Sequence, residues 1–280
     1  MSRDADQQSR PRVGLALSGG AARGAAHVGV LKVLLAEGVP IDCVAGTSAG
    51  ALVGGAFAAG LPIAELERVA SAMRWRHFGR VTLSRLGVQS NARMEEYLRE
   101  FLPVTRFEDL AIPFAAVATD LHTGDEVVLK GEGDVAFAIR ASCAVPGWYV
   151  PVADGHGRQL VDGGIVSLIP VGAARSLGPD IVVGVDVNWE GAKFLGPPRT
   201  ALGVLFQSMM VVQRTASRHE LRSADVSVLP RVGHIRWDEM RRGPELVAAG
   251  EAAAREALPQ IERLLAQRPP AHPPLQTSRA

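Results

Sequence analysis

Two short apolar runs, each stopped by a glycine turn and followed at once by a helix-like segment, constrain this chain more than any other feature. Val13 to Leu17 runs into Ser18-Gly19-Gly20, after which Ala25 to Leu35 carries apolar residues at helical spacing and stops before Gly38. Ile41 to Ala45 runs into Gly46-Thr47-Ser48-Ala49-Gly50 and then into the small-residue segment Ala51 to Ala59. Strands that are apolar on both faces and joined through helices suit a parallel sheet covered on each side, where no alternation with polar residues is needed.

The later sequence keeps this rhythm. Ile63 to Met73 and Arg93 to Phe101 have helical patterns, and Pro113 to Ala118 with Glu126 to Leu129 reads as a hairpin turned at Thr123-Gly124. Val135 to Ser142 reads as a helix leading to Pro146, and Arg158 to Val161 as a strand arriving at Asp162-Gly163-Gly164. Ile181 to Asp186 is an apolar strand ending in an acid, and Leu202 to Leu221 and Glu245 to Leu265 are later helices. The alternation predicts an α/β fold, a three-layer α/β/α sandwich with a mainly parallel central sheet. Residues 12–266 form one domain in this reading. The polar arm 1–11 and the proline-rich segment 267–280, which lack hydrophobic periodicity, are expected to be disordered.

Composition removes several function classes. Thirty Lys and Arg against 29 Asp and Glu give a net charge of +1, so no global field draws the chain to nucleic acid, and no nucleic-acid partner is expected. Cys43 and Cys143 lie in apolar sequence and read as small buried side chains in a reducing, cytoplasmic setting. Cys43 to Ala64 carries no charge, yet its glycines and Pro62 make it strand, turn and buried helix instead of a membrane span. His, Cys, Asp and Glu show no metal-ligand spacing, so no metal and no cofactor are expected.

Gly46 to Gly50 fits the nucleophile-elbow pattern G-x-S-x-G, in which flanking glycines let a strand-to-helix turn close tightly and push the serine hydroxyl out of the sheet. The match falls between a strand and a helix, where an elbow must sit, and the helix N-terminus favours negative charge on Ser48. A serine that merely caps the helix is the alternative. Gly19-Gly20-Ala21-Ala22-Arg23-Gly24 follows the first strand and opens the first helix, so its N–H groups are placed for an anion. A dinucleotide-phosphate loop fails at Ala21, where the fingerprint needs glycine, and lacks an acid after the second strand. An oxyanion hole for acyl transfer is the competing reading. Asp162, followed by Gly163-Gly164 at a strand end, is a candidate base. His77 and His122 lie in loop-like sequence, His219 and His234 sit among arginines, and His27 reads as a locally bonded helix residue.

Together these residues resemble the patatin-like phospholipase family, in its bacterial branch related to neuropathy-target-esterase-type hydrolases. The likeness rests on Gly19 to Gly24, then Gly46-Thr47-Ser48-Ala49-Gly50, then Asp162-Gly163-Gly164, in that order, and on Ala138 to Gly147 before the last motif. It covers about residues 12 to 176. The resemblance implies a Ser-Asp dyad with Ser48 as nucleophile and Asp162 as base, forming an acyl-enzyme. It places the oxyanion donors on the N–H groups of Gly20 and Ala21, and Arg23 where a basic residue faces a lipid phosphate. Ala21 stands where many members have a third glycine, so a positive φ there would be strained.

A carboxylate has a pKa near 4, roughly 2.5 units below histidine, so Asp162 must be desolvated to serve as base, and both dyad residues are expected to be buried. The implied partner is an acyl-lipid substrate, with peripheral contact at the inner membrane face. Two other readings stay open: an α/β-hydrolase whose triad takes His219 or His234 after the acid, and a nucleotide-binding or regulatory protein using the fold without turnover.

Overall fold

The computed structural model describes residues 10–74, 78–191 and 197–267. Of the expected N-terminal arm, only Arg10 and Pro11 fall among these, and Arg10 forms a bidentate ion pair with Asp42. Of the expected tail, only Gln267 does; the rest of both segments, and His77, lie outside the described residues.

The central strands are β1 (Val13–Leu17), β2 (Cys43–Thr47), β5 (Phe114–Asp120), β10 (Ile181–Val185) and β11 (Val226–Val228). They run parallel in the order β11-β10-β1-β2-β5. Three antiparallel strands extend the sheet beyond β5: β6 (Glu126–Lys130), β9 (Gln159–Asp162) and β8 (Val152–Ala153). The predicted hairpin is therefore present.

Successive side chains of each strand enter different cores, as period-two geometry requires. Val13, Leu15 and Leu17 of β1 join the large core, and Ala16 joins a smaller one with Ala45, Ala115, Ile169 and Val182. The large core lies under α1 (Ala25–Ala36), α2 (Ala49–Ala58), α3 (Ile63–Ala72), α4 (Ala92–Phe101), α5 (Val135–Ser142) and α8 (Gly243–Ala266). The smaller core lies under α6 (Val171–Arg175) and is flanked by Leu221 of α7 (Ala201–Arg222). This is the three-layer sandwich with a mainly parallel sheet.

The α1 and α8 helices meet backbone to backbone. A Cβ at Gly29 would lie 1.9 Å from the Val247 carbonyl oxygen, and one at Gly250 would lie 1.9 Å from that of Ala26. Two glycines, one per helix, thus permit the crossing.

The sequence placed β2 two residues early. Asp42 explains the shift, because its carboxylate accepts the Val13 N–H at 2.7 Å and holds Arg10, so pairing with β1 starts at Gly14↔Cys43. A second sheet, β3 (Arg80–Val81), β4 (Gly87–Ser90) and β7 (Gly147–Tyr149), was not foreseen; its strands are too short to carry a pattern.

Candidate active site

The strand order reverses at β1, whose neighbours are β10 and β2, and such a switch point opens a crevice beyond the carboxyl ends of the strands. The loops after β1, β2 and β10 meet there. Ser18 ties two of them together, since its N–H donates to Val185 O and its hydroxyl accepts the Val187 N–H. His27 supports the same residue from below, with Nε2 2.8 Å from Ser18 O. Burial pushes that imidazole down to about 4, so it is neutral at pH 7.

Ser48 occupies the turn between β2 and α2 with φ +53°. For a residue with a Cβ this left-handed conformation costs on the order of 1–2 kcal/mol. It is held by specific contacts. The Ser48 N–H donates to the Ser142 hydroxyl at 2.8 Å, and that hydroxyl donates to Val117 O at 2.5 Å. The Thr47 hydroxyl donates to Ser167 O at 2.9 Å. The flanking glycines are sterically required: a Cβ at Gly46 would stand 2.4 Å from the Gly50 carbonyl carbon, and one at Gly50 would stand 2.0 Å from Leu17 O. The predicted elbow is in place, with its serine at the positive end of α2.

Asp162 ends β9, opposite Ala118 of β5. Its N–H donates to Ala144 O and its own carbonyl accepts the Thr119 hydroxyl, which fixes the backbone on both sides. The carboxylate accepts the Gly164 N–H at 2.8 Å and lines the same small cavity as Ser48. Only 5% of the residue is exposed. Burial pushes its carboxyl up to about 6, against the opposing pull of the nearby Ser48 hydroxyl and the Gly164 N–H. Gly163 permits the approach, because a Cβ there would meet Val117 O at 2.2 Å. Ser48 itself is half-buried, less than expected, because it faces cavities on two sides.

In the glycine loop, the N–H of Gly19 donates to Leu168 O, that of Ala22 to Trp237 O and that of Arg23 to Gly20 O. Between them, the N–H groups of Gly20 and Ala21 have no acceptor among the described residues. Ala21 has φ +49°, the strained value expected where a glycine is missing. A Cβ at Gly24 would lie 2.4 Å from that of Ala49, so the loop lies tight against the elbow helix.

Arg23 borders a cavity together with Ser48 and Asp162 and is also held from within. It is 2% exposed, with Nε donating to Ile235 O at 2.7 Å and Nη1 to Asn188 Oδ1 at 3.3 Å. These donors are committed inside the protein, and the side chain braces the loop from beneath.

Two cavities meet at Ser48. One, of about 320 Å³, is apolar and is walled by Val28, Leu52, Met94, Leu98, Trp148 and Phe206 among others. The other, about 80 Å³, also touches Gly20, Ala21, Asp162, Asn188, Gln213 and Arg214. Trp237 borders both, edge-on to Trp148 and against Phe206. Cys143 lines the apolar cavity beside Ser48, and burial raises its thiol pKa. Both cysteines are free and buried.

His219 and His234 are exposed and line neither cavity; His234 Nε2 lies 2.8 Å from Glu245 Oε1. His122 is exposed as well. Among the described residues, no group of three or more His, Cys, Asp or Glu is placed to hold a metal ion. Sequence reasoning missed Ser142, Gln213 and Arg214.

Comparison with known proteins agrees with this geometry. The family model for patatin-like phospholipase matches residues 15–175. An uncharacterised NTE family protein of Mycobacterium tuberculosis is 38% identical over 196 residues, covering 69% of this chain and 53% of the relative. Lysophospholipase NTE1 of Mycosarcoma maydis is 34% identical over 182 residues, covering 63% of this chain and 10% of the relative. Among solved structures, VipD from Legionella pneumophila superposes with a TM-score of 0.59 at 16% identity, covering 91% of this chain and 67% of that one. This last likeness concerns the fold. The chain thus spans about half of the mycobacterial relative and a small part of the fungal one. With more than half of its residues matched by the family model, the chain belongs to the patatin-like phospholipase family.

Proposed function

We propose that this protein is a serine hydrolase of acyl-lipid esters, of phospholipase or lysophospholipase type, working through a Ser48–Asp162 dyad. The observation that carries this reading is that Ser48, held at a positive φ between strand and helix, and the buried Asp162 line one small cavity that adjoins an apolar one. Ser48 Oγ attacks the ester carbonyl carbon while Asp162 takes the hydroxyl proton. The negative charge that develops on the carbonyl oxygen is received by the free N–H groups of Gly20 and Ala21. Collapse of this intermediate breaks the bond to the alcohol, which leaves with the proton from Asp162, and the acyl group stays on Ser48. A water then gives its proton to Asp162 and attacks the acyl-enzyme; as the bond to Ser48 Oγ breaks, Asp162 returns that proton to Oγ, releasing a fatty acid and restoring Ser48 and the carboxylate. The acyl chain lies in the apolar cavity throughout.

Peripheral contact with a lipid surface belongs to the same reading. Val204, Leu205, Val211 and Val212 are exposed on α7 at spacings that put them on one face. Phe206 of that helix lines the apolar cavity. Val81, Leu83, Leu86 and Val88 are exposed on and between β3 and β4, and β4 pairs with β7, whose Trp148 and Tyr149 line the same cavity. No helix among the described residues is long and apolar enough to cross a membrane.

The test is hydrolysis of p-nitrophenyl butyrate. The wild type is expected to turn over and Ser48→Ala to be inactive with its fold intact; an unchanged rate in Ser48→Ala would remove the acyl-enzyme.

A further inference from the structure

The smaller cavity holds a side chain that the dyad does not use. Arg214 lines it together with Ser48 and Asp162, and its Nε is buried without a hydrogen-bond partner among the described residues. A guanidinium stays charged at any pH the fold survives. Leaving one of its donors buried and unpaired is unfavourable, and an anion in the cavity would offset the charge.

Its orientation is fixed. A Cβ at Gly191 would fall 2.6 Å from Arg214 Cζ, 2.7 Å from Nη1 and 2.8 Å from Nε. The guanidinium therefore lies directly over the glycine, in space any larger residue would fill. Gly191 has φ +79°, a second reason for glycine there.

Arg214 and Arg23 are the two guanidiniums among the described residues that line this cavity. Arg23, the other guanidinium on the cavity, faces Glu190, Asp186 and Glu239 and is hydrogen-bonded inside the protein. Asp186 feels both Arg214 and Arg23. It is 2% exposed, accepts the Asn188 N–H at 2.7 Å, and burial pushes it up to about 6.

The position of the cavity says what an anion there would belong to. Ser48 borders both cavities, so an ester whose acyl chain fills the apolar one presents its alcohol portion to the polar one. We propose that Arg214 is a specificity-determining residue that binds the phosphate of the alcohol portion, so that the site selects acyl esters of glycerol phosphate over uncharged acylglycerols. This rests on the hydrolase reading of Ser48 and Asp162. A phosphate suits the site because a planar guanidinium engages two of its oxygens at once.

The experiment compares lauroyl glycerol phosphate with monolauroylglycerol, which share the scissile ester. The ratio of their kcat/KM values is expected to fall about 10- to 100-fold in Arg214→Gln, the range for losing a hydrogen bond to a charged group. Arg214→Lys should restore part of it. An unchanged ratio would overturn the assignment, since a merely structural arginine would depress both substrates together. Binding of glycerol phosphate, read as a rise in Tm, supplies a readout without turnover. The rise is expected in wild type and Ser48→Ala and absent in Arg214→Gln. No rise in wild type would count against Arg214, whereas an Arg214-dependent rise without ester hydrolysis would count against the dyad alone. An equal rise with inorganic phosphate, together with an unchanged substrate ratio, would assign the site to free phosphate and overturn the headgroup role.

Discussion

The backbone N–H of Ser48 donates to the hydroxyl of Ser142, 94 residues away, at 2.8 Å. The same hydroxyl donates to Val117 O, so one small side chain joins the elbow, the end of α5 and the middle of β5. Ser142→Ala leaves a buried donor and a buried acceptor unpaired, and should lower stability by about 1–3 kcal/mol. Because the elbow then loses the contact that holds its positive φ, kcat for p-nitrophenyl butyrate should fall about tenfold or more while KM changes little. Chemical denaturation and steady-state kinetics on one preparation check both.

Much of this site was legible in the sequence, and the reason is local. The elbow, the glycine loop and the Asp162-Gly163-Gly164 turn are each set by a few consecutive residues, so the turns are legible locally, while their roles come from the family resemblance. The strand Val13 to Leu17 and the helix Val135 to Ser142 have the same bounds in the structure, because each is a strong apolar pattern ended by a clear signal. Ser142 was legible only as a helix residue, since its partners Ser48 and Val117 are far away in sequence. The hold of the Ile235 carbonyl on Arg23 was not legible, because a motif position says nothing of a residue 212 positions away. Arg214 sits in a long helix whose outward face is apolar, and no local pattern separates it from the other arginines.

If Asp162 is the base, Asp162→Asn should lower kcat by several orders of magnitude, because the amide keeps the shape and cannot take the proton. His219→Ala and His234→Ala should stay within about tenfold of wild type. In the wild type, kcat/KM should rise with pH through about 6, where the buried carboxyl loses its proton. Loss of activity in a folded His219 or His234 variant would favour a triad instead.

The same buried carboxyl has a consequence for stability. Its folded-state pKa is raised, so between about 4 and 6 the native protein holds a proton that the unfolded chain has released. Stability then falls as pH rises through that window, and the full penalty is present above about 6. Asp162→Asn removes the charge, and at pH 7.5 should raise stability by up to about 3 kcal/mol relative to wild type. The gain should vanish near pH 4. Thermal melts of the two proteins across this range read the difference directly.

The crossing of α1 and α8 makes a prediction independent of catalysis. Gly250→Ala places a methyl group against the Ala26 backbone, with no flexible side chain to yield. The helices must separate, at a cost of about 1–3 kcal/mol or more. Urea denaturation should show a lower midpoint with little change in slope.

The most direct test of the dyad is the site of covalent modification by a fluorophosphonate probe, mapped by peptide mass spectrometry. Attack on phosphorus needs the hydroxyl made nucleophilic by its base, and the adduct records which oxygen attacked. The account predicts one adduct, on Ser48, absent in Ser48→Ala and formed far more slowly in Asp162→Asn. An adduct on any other residue, or an Asp162→Asn protein labelled at the wild-type rate, would contradict it.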